Sequence, residues 1–281
     1  MKNRDDSIVQ PDTTHWSKFA QMWSRIGPPL RPPGEDVALV KRLVTEWSRA
    51  NGAPRGLIMG VTPEYYSFGW PDGSSIVAVD HSQSMIDEVW PGPKAAARCA
   101  DWTDMPIADA SVDIALCDGG LILLPHPEGH IRLAQELGRV VGRGGICIFR
   151  LFSPVPGDDD SDRVLGDLLS GKLESVNHMK VRLWTATQKT LTEGVRLGDV
   201  WTMIQQAVPD LDALAARLGW STDHLNVLQV YKDSSTRYWC PTPADIHRMF
   251  CEERSLFEMQ LVHTPTYAVG AHCPTIVLRR R

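Results

Sequence analysis

Residues 56–64 read GLIMGVTPE, an apolar run followed by a glycine and a helix-start signal. The run over 56–59 is typical of a short buried strand. Thr62, Pro63 and Glu64 are typical of a first helical turn, because threonine caps a helix, proline fits its first position and an acid complements its dipole. A strand that leads through a glycine into a helix is the repeating unit of an α/β domain.

Outward from this stretch, the chain keeps alternating between strand and helix patterns. Mostly apolar runs predict strands over residues 56–59, 75–80, 95–100, 112–117, 145–151, 256–263 and 274–279. Helical spacing and start signals predict helices over residues 35–47, 82–89, 127–141 and 241–253. Apolar strands separated by helices predict a parallel sheet covered on both faces, which is a doubly wound α/β architecture.

The composition narrows the class of protein. With 281 residues, 43% of them hydrophobic, the chain is long enough for a substantial core. Its six cysteines form no Cys-x-x-Cys pair, and several lie in apolar runs, which indicates reduced core residues rather than a zinc site or a disulfide framework. A net charge of -5 gives no overall electrostatic footprint for nucleic acid, so a small molecule is the expected partner.

The sequence gives no sign of a membrane or a secretory segment. Residues 1–16 lack the apolar centre of a signal peptide, and no run of about 18 apolar residues occurs in the sequence. We therefore expect a cytoplasmic protein that does not enter a membrane. No pattern indicates an oligomeric state.

Acidic residues and glycines follow the predicted strands at the positions where α/β sheets bind ligands. Such ligands lie beyond the carboxyl ends of the strands. The residues at these ends are Gly60, Asp80 with His81, Asp101 with Trp102, Asp118 with Gly119 and Gly120, and Arg150. A single aspartate there is as often a loop residue or a helix cap. Three carboxylates at three successive strand ends favour a ligand site.

Three longer segments resemble the class I S-adenosylmethionine-dependent methyltransferases of the small-molecule type. They read IVAVDHSQSMI at residues 76–86, CADWTDMPIADASVDIALCD at 99–118 and LGRVVGRGGICIFRLF at 137–152, and the resemblance covers about residues 35–152. It implies a Rossmann-like, seven-stranded and mainly parallel sheet with an antiparallel last strand, and a helical cap inserted between strands 5 and 6. It also implies S-adenosyl-L-methionine as the cofactor.

The resemblance divides the chain into four parts. These are an N-terminal helical lid over residues 1–34, in which Trp16, Phe19 and Trp23 share a face; the cofactor-binding core over 35–152; a helical cap and substrate region over 153–238; and the C-terminal part of the core over 239–281. Simple packing on the domain explains the apolar stripes of the lid and the cap equally well.

For the adenosine end of the cofactor, the resemblance implies five residues. Asp80 accepts hydrogen bonds from both ribose hydroxyls, and bonds to a charged acceptor are the stronger kind. Asp101 accepts from the adenine amino group, while the backbone amide of Trp102 serves a ring nitrogen. His81 and Met85 lie against the adenine ring.

For the methionine end, the resemblance implies the first loop and the end of the fourth strand. Gly60, Val61 and Thr62 form that loop, and Asp118 with Gly119 lies beneath the methionine moiety near the sulfonium.

The first loop departs from the family pattern, in which an acid lies two positions before the first of three glycines. Ile58 replaces the acid, and Thr62 and Glu64 replace the second and third glycines. S-adenosylmethionine carries no pyrophosphate, so one glycine can suffice for it.

Two alternatives remain open. An NAD(P)-dependent Rossmann oxidoreductase also needs an acid near position 80, but it requires the missing glycines for its pyrophosphate, and Glu64 would place a negative charge there. The second alternative is a protein that binds S-adenosylmethionine, or keeps only the scaffold, without catalysis.

The expected reaction is an in-line transfer of the sulfonium methyl group to an oxygen or nitrogen atom of a small-molecule acceptor. It requires mainly positioning and a dry, aromatic-lined pocket. No spacing singles out a catalytic base, and the candidates near strand ends or in the cap are His126, Arg150, His178, His263 and Tyr267. No metal-ligand spacing occurs, so we expect no metal.

Overall fold

The computed structural model describes residues 20–157 and 160–281, apart from the side chain of His224. The strands are β1 (Arg55–Met59), β2 (Ser75–Asp80), β3 (Ala97–Cys99), β4 (Val112–Asp118), β5 (Val141–Arg150), β6 (Val195–Arg196), β7 (Arg237–Tyr238), β8 (Phe257–His263) and β9 (Thr275–Arg280). Seven of them form one sheet in the order β3-β2-β1-β4-β5-β9-β8, and β6 pairs with β7 in a separate small sheet.

The direction of the strands defines the class of the fold. The strands β1 to β5 are parallel to their neighbours within that group, whereas β9 is antiparallel to both β5 and β8. The strand β8 therefore runs in the same direction as β1 to β5, and β9 alone reverses in this sheet. The seven-stranded, mainly parallel sheet confirms the predicted fold class, including its antiparallel last strand.

The helices lie between the strands in the chain. They are α1 (Gly34–Asn51), α2 (Pro63–Ser67), α3 (Gln83–Glu88), α4 (Glu128–Val140), α5 (Ser161–Leu169), α6 (Val176–Thr187), α7 (Leu197–Ala207), α8 (Leu211–Leu218), α9 (Thr222–Asn226) and α10 (Pro243–Ile246). A π-helical turn over His247–Glu252 continues α10. None of the helices in the described ranges is both long enough and apolar enough to cross a membrane.

Alternation along β1 creates the two layers of core around the sheet. Successive side chains of a strand point to opposite faces. Leu57 and Met59 belong to the core on the side of α4, whereas Ile58 packs in the core that contains Val40 and Val44 of α1. Position 58, where the family pattern has an acid, is thus a fully buried part of the apolar core.

The helices α5 to α9, between β5 and β8, build a core of their own. Leu168 of α5, Leu183 of α6 and Ile204 of α7 are fully buried in it. Phe152 and Ile122, which follow β5 and β4, belong to the same cluster. This helical unit (residues 160–238) therefore packs against the carboxyl end of the sheet.

Some boundaries differ from the predicted ones. The strand β3 is only Ala97–Cys99, because residues 94–96 form a 3-10 turn before it. The strand β5 begins at Val141, where the helix predicted over 127–141 has ended, and its pairing with β4 shifts register between Val112 and Ile114. The strands β6 and β7 were not predicted, since two-residue strands carry no periodic pattern.

Candidate functional site

A cavity opens at the carboxyl ends of β1, β2 and β4, between the sheet and the helical unit. Nine of the ten predicted cofactor residues line it, namely Gly60, Val61, Thr62, Asp80, His81, Met85, Trp102, Asp118 and Gly119. Further lining residues are Trp23, Ile26, Leu30, Met59, Gly120, Ile122, Leu123, Phe152, Trp184 and Tyr238. The sheet topology thus brings together side chains from distant parts of the sequence.

The first loop turns sharply at Gly60. Its φ of 88° lies in the left-handed region that favours glycine, and its N–H donates to the Val79 carbonyl at 2.8 Å. Thr62 occupies the predicted cap position before α2, but its side chain makes no capping hydrogen bond. The loop therefore depends on one glycine and on backbone pairing with β2.

The charge of Glu64 is balanced by the segment that precedes α1. Arg31 Nε donates to Glu64 Oε1 at 2.6 Å, and the Arg31 guanidinium lies 5.3 Å from the ring centroid of Trp23. Trp23, Ile26 and Leu30 of that segment line the cavity. The charge argument against a pyrophosphate at Glu64 is therefore weaker than the sequence indicated. Trp16 and Phe19 of the predicted lid lie outside the described residues.

Asp80 presents a buried carboxylate to the cavity. Its Oδ1 accepts the backbone N–H of Ser82 at 2.8 Å, and the backbone of Val61 donates to it as well. Burial raises the pKa of Asp80 to about 6, although both backbone bonds oppose the rise. The neighbouring His81 has its pKa lowered, chiefly by burial. A ligand with hydroxyl donors suits such a carboxylate, because the charged form gains stability from each donor.

Asp101 is placed differently from the prediction. It is exposed, does not line the cavity, and accepts from the Thr103 backbone N–H at 2.7 Å and from its hydroxyl at 2.8 Å. The indole of the neighbouring Trp102 lines the cavity instead, and its N–H donates to the Val79 carbonyl at 2.7 Å. Both bonds use the Oδ1 atom of Asp101, and the contact of its carboxylate with adenine stays a prediction.

Asp118 belongs to a buried ion-pair network beneath the cavity. Arg150 donates to its carboxylate through Nε at 2.5 Å and through Nη2 at 3.1 Å. The same guanidinium lies 3.8 Å from Asp36, which also accepts the hydroxyl of Tyr267 at 2.7 Å. Burial works against the charge of Arg150, but the Asp118 carboxylate holds its pKa well above the usual value. We refer to Asp36, Asp118, Arg150 and Tyr267 as the Arg150 network.

Asp36 was missed by the sequence analysis, although a signal was present. It lies on the same face of α1 as Val40 and Val44, at positions i, i+4 and i+8. A carboxylate on an apolar helical face is rarely left unpaired. Burial raises the pKa of Asp36, while the Arg150 guanidinium and the Tyr267 hydroxyl oppose that rise.

Gly119 brings the backbone close to an aromatic ring. Its φ is 63°, and a Cβ atom there would lie 2.5 Å from the ring of Phe152. The Phe152 ring packs edge-on against Trp184 with 5.8 Å between ring centroids, and Trp184 packs edge-on against Tyr238 at 5.1 Å. Phe152, Trp184 and Tyr238 line the cavity together, and we refer to them as the aromatic wall.

None of the five candidate bases lines this cavity. Arg150 and Tyr267 are engaged in the Arg150 network. The ring of His126 lies 5.6 Å from that of His130, His178 lies 3.6 Å from Glu174, and His263 lies 3.9 Å from Glu35. The structure therefore places all five side chains outside the lining of this cavity.

The described residues contain no group of three or more His, Cys, Asp or Glu side chains arranged to hold a metal ion. All six cysteines are free, five of them buried and Cys99 exposed.

Comparison with known proteins identifies the domain. A family model described as a methyltransferase domain matches residues 58–149, from β1 to β5. No curated protein sequence matches the chain significantly.

Two solved structures share the fold. A Rhodobacter sphaeroides protein, provisionally described as a zinc-dependent alcohol dehydrogenase, is 15% identical, with a TM-score of 0.58 over 98% of this chain and 100% of the other. The N-methyltransferase NodS of Bradyrhizobium japonicum, in complex with S-adenosyl-L-homocysteine, is 10% identical, with a TM-score of 0.50 over 96% of this chain and 99% of the other.

Replacement of the buried guanidinium tests the Arg150 network. We expect Arg150→Met to lower the free energy of unfolding by about 3–5 kcal/mol, because it leaves two carboxylates buried without their cation. Urea denaturation followed by circular dichroism measures the change. The control is Arg42→Met, which removes an exposed pair with Glu46 and should cost less than about 1 kcal/mol. Equal effects of the two variants would contradict the network's role.

Proposed function

We propose that this chain, whose residues 58–149 match a methyltransferase domain, is a class I S-adenosylmethionine-dependent methyltransferase that transfers the methyl group to an oxygen or nitrogen atom of a small molecule. The proposal places the cofactor in the cavity between the sheet and the helical unit. It also assigns residues 1–34 as a lid, 35–152 and 239–281 as the core, and 153–238 as a cap that covers the acceptor.

The observation that carries the proposal is the pair of cavity carboxylates, Asp80 and Asp118, on either side of Gly60. They end β2 and β4, the two neighbours of β1 in the sheet, so the strand spacing separates them by about 10 Å. Asp80 suits the hydroxyls of a ribose, and Asp118 suits the ammonium and sulfonium of the cofactor. In the Arg150 network two carboxylates share one guanidinium, which favours a cationic ligand nearby.

The nicotinamide alternative fits these residues less well. A dinucleotide would also use Asp80, but its pyrophosphate would need a row of glycine amides at the first loop, where this chain has Thr62 and Glu64. The first loop has one glycine, which lets the chain turn. It lacks the second and third glycines that allow the backbone to approach a pyrophosphate and the helix to pack closely on the strand.

The residues of the cavity explain how methyl transfer could proceed. When bound, the cofactor supplies an electrophilic methyl group on a positively charged sulfur. The protein contributes position, since holding the acceptor in line with the methyl carbon can account for about 7–11 kcal/mol of the barrier. The aromatic wall and Trp23 exclude water, which favours a reaction in which opposite charges cancel. No catalytic base follows from the cavity lining itself.

Replacement of Asp80 tests the cofactor assignment. We expect wild-type protein to bind S-adenosyl-L-homocysteine and not NAD+ in isothermal titration calorimetry. Asp80→Asn should weaken the binding at least about tenfold, because hydrogen bonds to a charged acceptor contribute about 1.5–3 kcal/mol each. It should also reduce the transfer of labelled methyl groups to small molecules in a cell extract, detected by mass spectrometry.

The control for this experiment is Asp72→Asn, since Asp72 is exposed and lies outside the cavity lining. Unchanged affinity in Asp80→Asn would show that the ribose contact is wrong. Binding without any methyl transfer would support the non-catalytic alternative, and NAD+ binding would support the oxidoreductase.

The raised pKa of Asp80 predicts how the cofactor affinity depends on pH. The carboxyl is mostly neutral below its pKa of about 6, and the charge-assisted bonds to the ribose are then lost. We expect calorimetric titrations to show that the affinity for S-adenosyl-L-homocysteine falls as the pH is lowered from about 8 to about 5. Asp80→Asn should show a flatter profile although it keeps His81, so a profile identical to that of the wild type would assign the titration to another group.

The role of Asp118 is tested by two ligands that differ only in the amino-acid arm. We expect Asp118→Asn to weaken S-adenosyl-L-homocysteine about tenfold or more and to leave 5′-methylthioadenosine, which lacks the α-ammonium, nearly unchanged. Retained binding of 5′-methylthioadenosine also shows that the variant is folded. Equal losses for both ligands would contradict a specific contact with the methionine end.

A further inference from the structure

The helical unit contains a buried lysine whose amine has no partner. Lys180 on α6 is 1% exposed, and its Nζ makes no hydrogen bond. Burial lowers its pKa to about 7, and no ion pair between Lys180 and a carboxylate is found in the described ranges. A buried lysine without a counter-charge is costly, so its retention calls for a functional explanation.

Two other polar groups near Lys180 are buried and only weakly paired. The Nε1 atom of Trp184 and the hydroxyl of Tyr231 lie close to each other, but not in the geometry of a full hydrogen bond. Trp184 lies one turn after Lys180 on the same face of α6, and its indole N–H lies near the Tyr231 hydroxyl. Lys180 Nζ lies 5.6 Å from the ring centroid of Tyr231. We refer to Lys180, Trp184 and Tyr231 as the donor cluster.

Trp184 connects the donor cluster to the cavity. It belongs to the aromatic wall, which begins at Phe152 above Gly119, next to Asp118. Lys180 and Tyr231 do not line the cavity, but Tyr231 is next to Trp184, and Lys180 is next to Tyr231. A molecule that stacks on the wall near the proposed position of the cofactor methyl group is therefore one side chain away from the unpartnered Lys180 amine and from the weakly paired N–H and hydroxyl groups of Trp184 and Tyr231.

We propose that the donor cluster is the acceptor subsite of this methyltransferase, and that it takes an aromatic acceptor with an acidic hydroxyl group, a phenol. This proposal rests on the proposed function and narrows its acceptor to an oxygen. The aromatic wall suits the ring, and an amine, an indole N–H and a hydroxyl suit an oxygen that becomes negatively charged. The proposal requires the Trp184 ring to turn so that the hydroxyl reaches Lys180, while Phe152 and Tyr238 hold the acceptor ring.

Lys180 is the base of the reaction in this arrangement. Its neutral amine takes the proton of the phenol, which yields a phenolate and an ammonium side by side. The phenolate oxygen forms a bond to the methyl carbon as the carbon–sulfur bond breaks, and the bonding electron pair stays on sulfur as a neutral thioether. The proton remains on Lys180 and passes to solvent when the methylated product leaves.

A purely structural Lys180, held by the Tyr231 ring, is the competing explanation. Lys180→Met distinguishes the two, because methionine keeps the length and removes the buried amine. We expect this variant to raise the melting temperature and to lose acceptor binding. A lower melting temperature with unchanged acceptor binding would support the structural role and overturn the proposal.

The binding test uses p-nitrophenol, whose phenolate absorbs visible light, with protein saturated by S-adenosyl-L-homocysteine. We expect the wild type to bind it with enrichment of the phenolate spectrum and to bind the methyl ether p-nitroanisole at least tenfold more weakly. Lys180→Met should lower the affinity for p-nitrophenol at least tenfold and abolish the enrichment. The matched control is Lys189→Met, which replaces an exposed lysine just after α6 and should behave as the wild type.

Three outcomes would overturn the proposal. They are no binding of p-nitrophenol to the wild type, equal binding of the ether and the phenol, and full phenolate enrichment in Lys180→Met. Tyr231→Phe provides a second variant, which should weaken the phenol and not the ether. Titration with S-adenosyl-L-homocysteine alone separates failure of this proposal from failure of the proposed function. If the wild type does not bind S-adenosyl-L-homocysteine, the proposed function itself is contradicted.

Discussion

The guanidinium of Arg150, buried between two carboxylates, is the interaction on which the candidate site depends. Arg150 ends β5, Asp118 ends β4 and Asp36 begins α1, so one cation joins three elements that are distant in sequence. Electrostatic attraction is strong where water is excluded, and buried charges are costly unless they are well paired. The positions of the guanidinium and of both carboxylates are therefore restricted. The carboxylate of Asp118 is therefore fixed before any ligand arrives, and the close contact of Gly119 with Phe152 places the aromatic wall in relation to it.

The unusual first loop makes physical sense beside this network. Ile58 points away from the cavity into the α1 side of the core, where an acid would be costly. The carboxylates that the chain does bring to this region come from Asp36 and Asp118 on neighbouring elements. Gly60 keeps the one conformation that the turn requires. The first loop thus serves only as a turn. In the proposed site, the carboxylates that contact the cofactor are Asp80 at the end of β2 and Asp118 at the end of β4.

The sequence was sufficient for the parts of the structure that follow from local patterns. Apolar runs located the strands of the main sheet, and the rule for strand ends then brought Asp80 and Asp118 to one cavity. The same rule did not bring Asp101 into the cavity lining, where its Oδ1 atom instead accepts hydrogen bonds from the backbone and hydroxyl of Thr103. The aromatic wall was unpredictable for another reason. Phe152, Trp184 and Tyr238 meet only through packing of the helical unit, and no local pattern encodes that contact.

The pairing of Arg31 with Glu64 bears on how ligands enter and leave the cavity. It ties a segment that lines the cavity with Trp23, Ile26 and Leu30 to the first turn of α2, which follows the loop residues that line the same cavity. In the proposed function, movement of this segment away from the cofactor would have to separate the two side chains. Both are partly exposed, and such attractions are screened by dissolved ions. Such movement would then become easier at higher ionic strength, at a point remote from the methyl group itself.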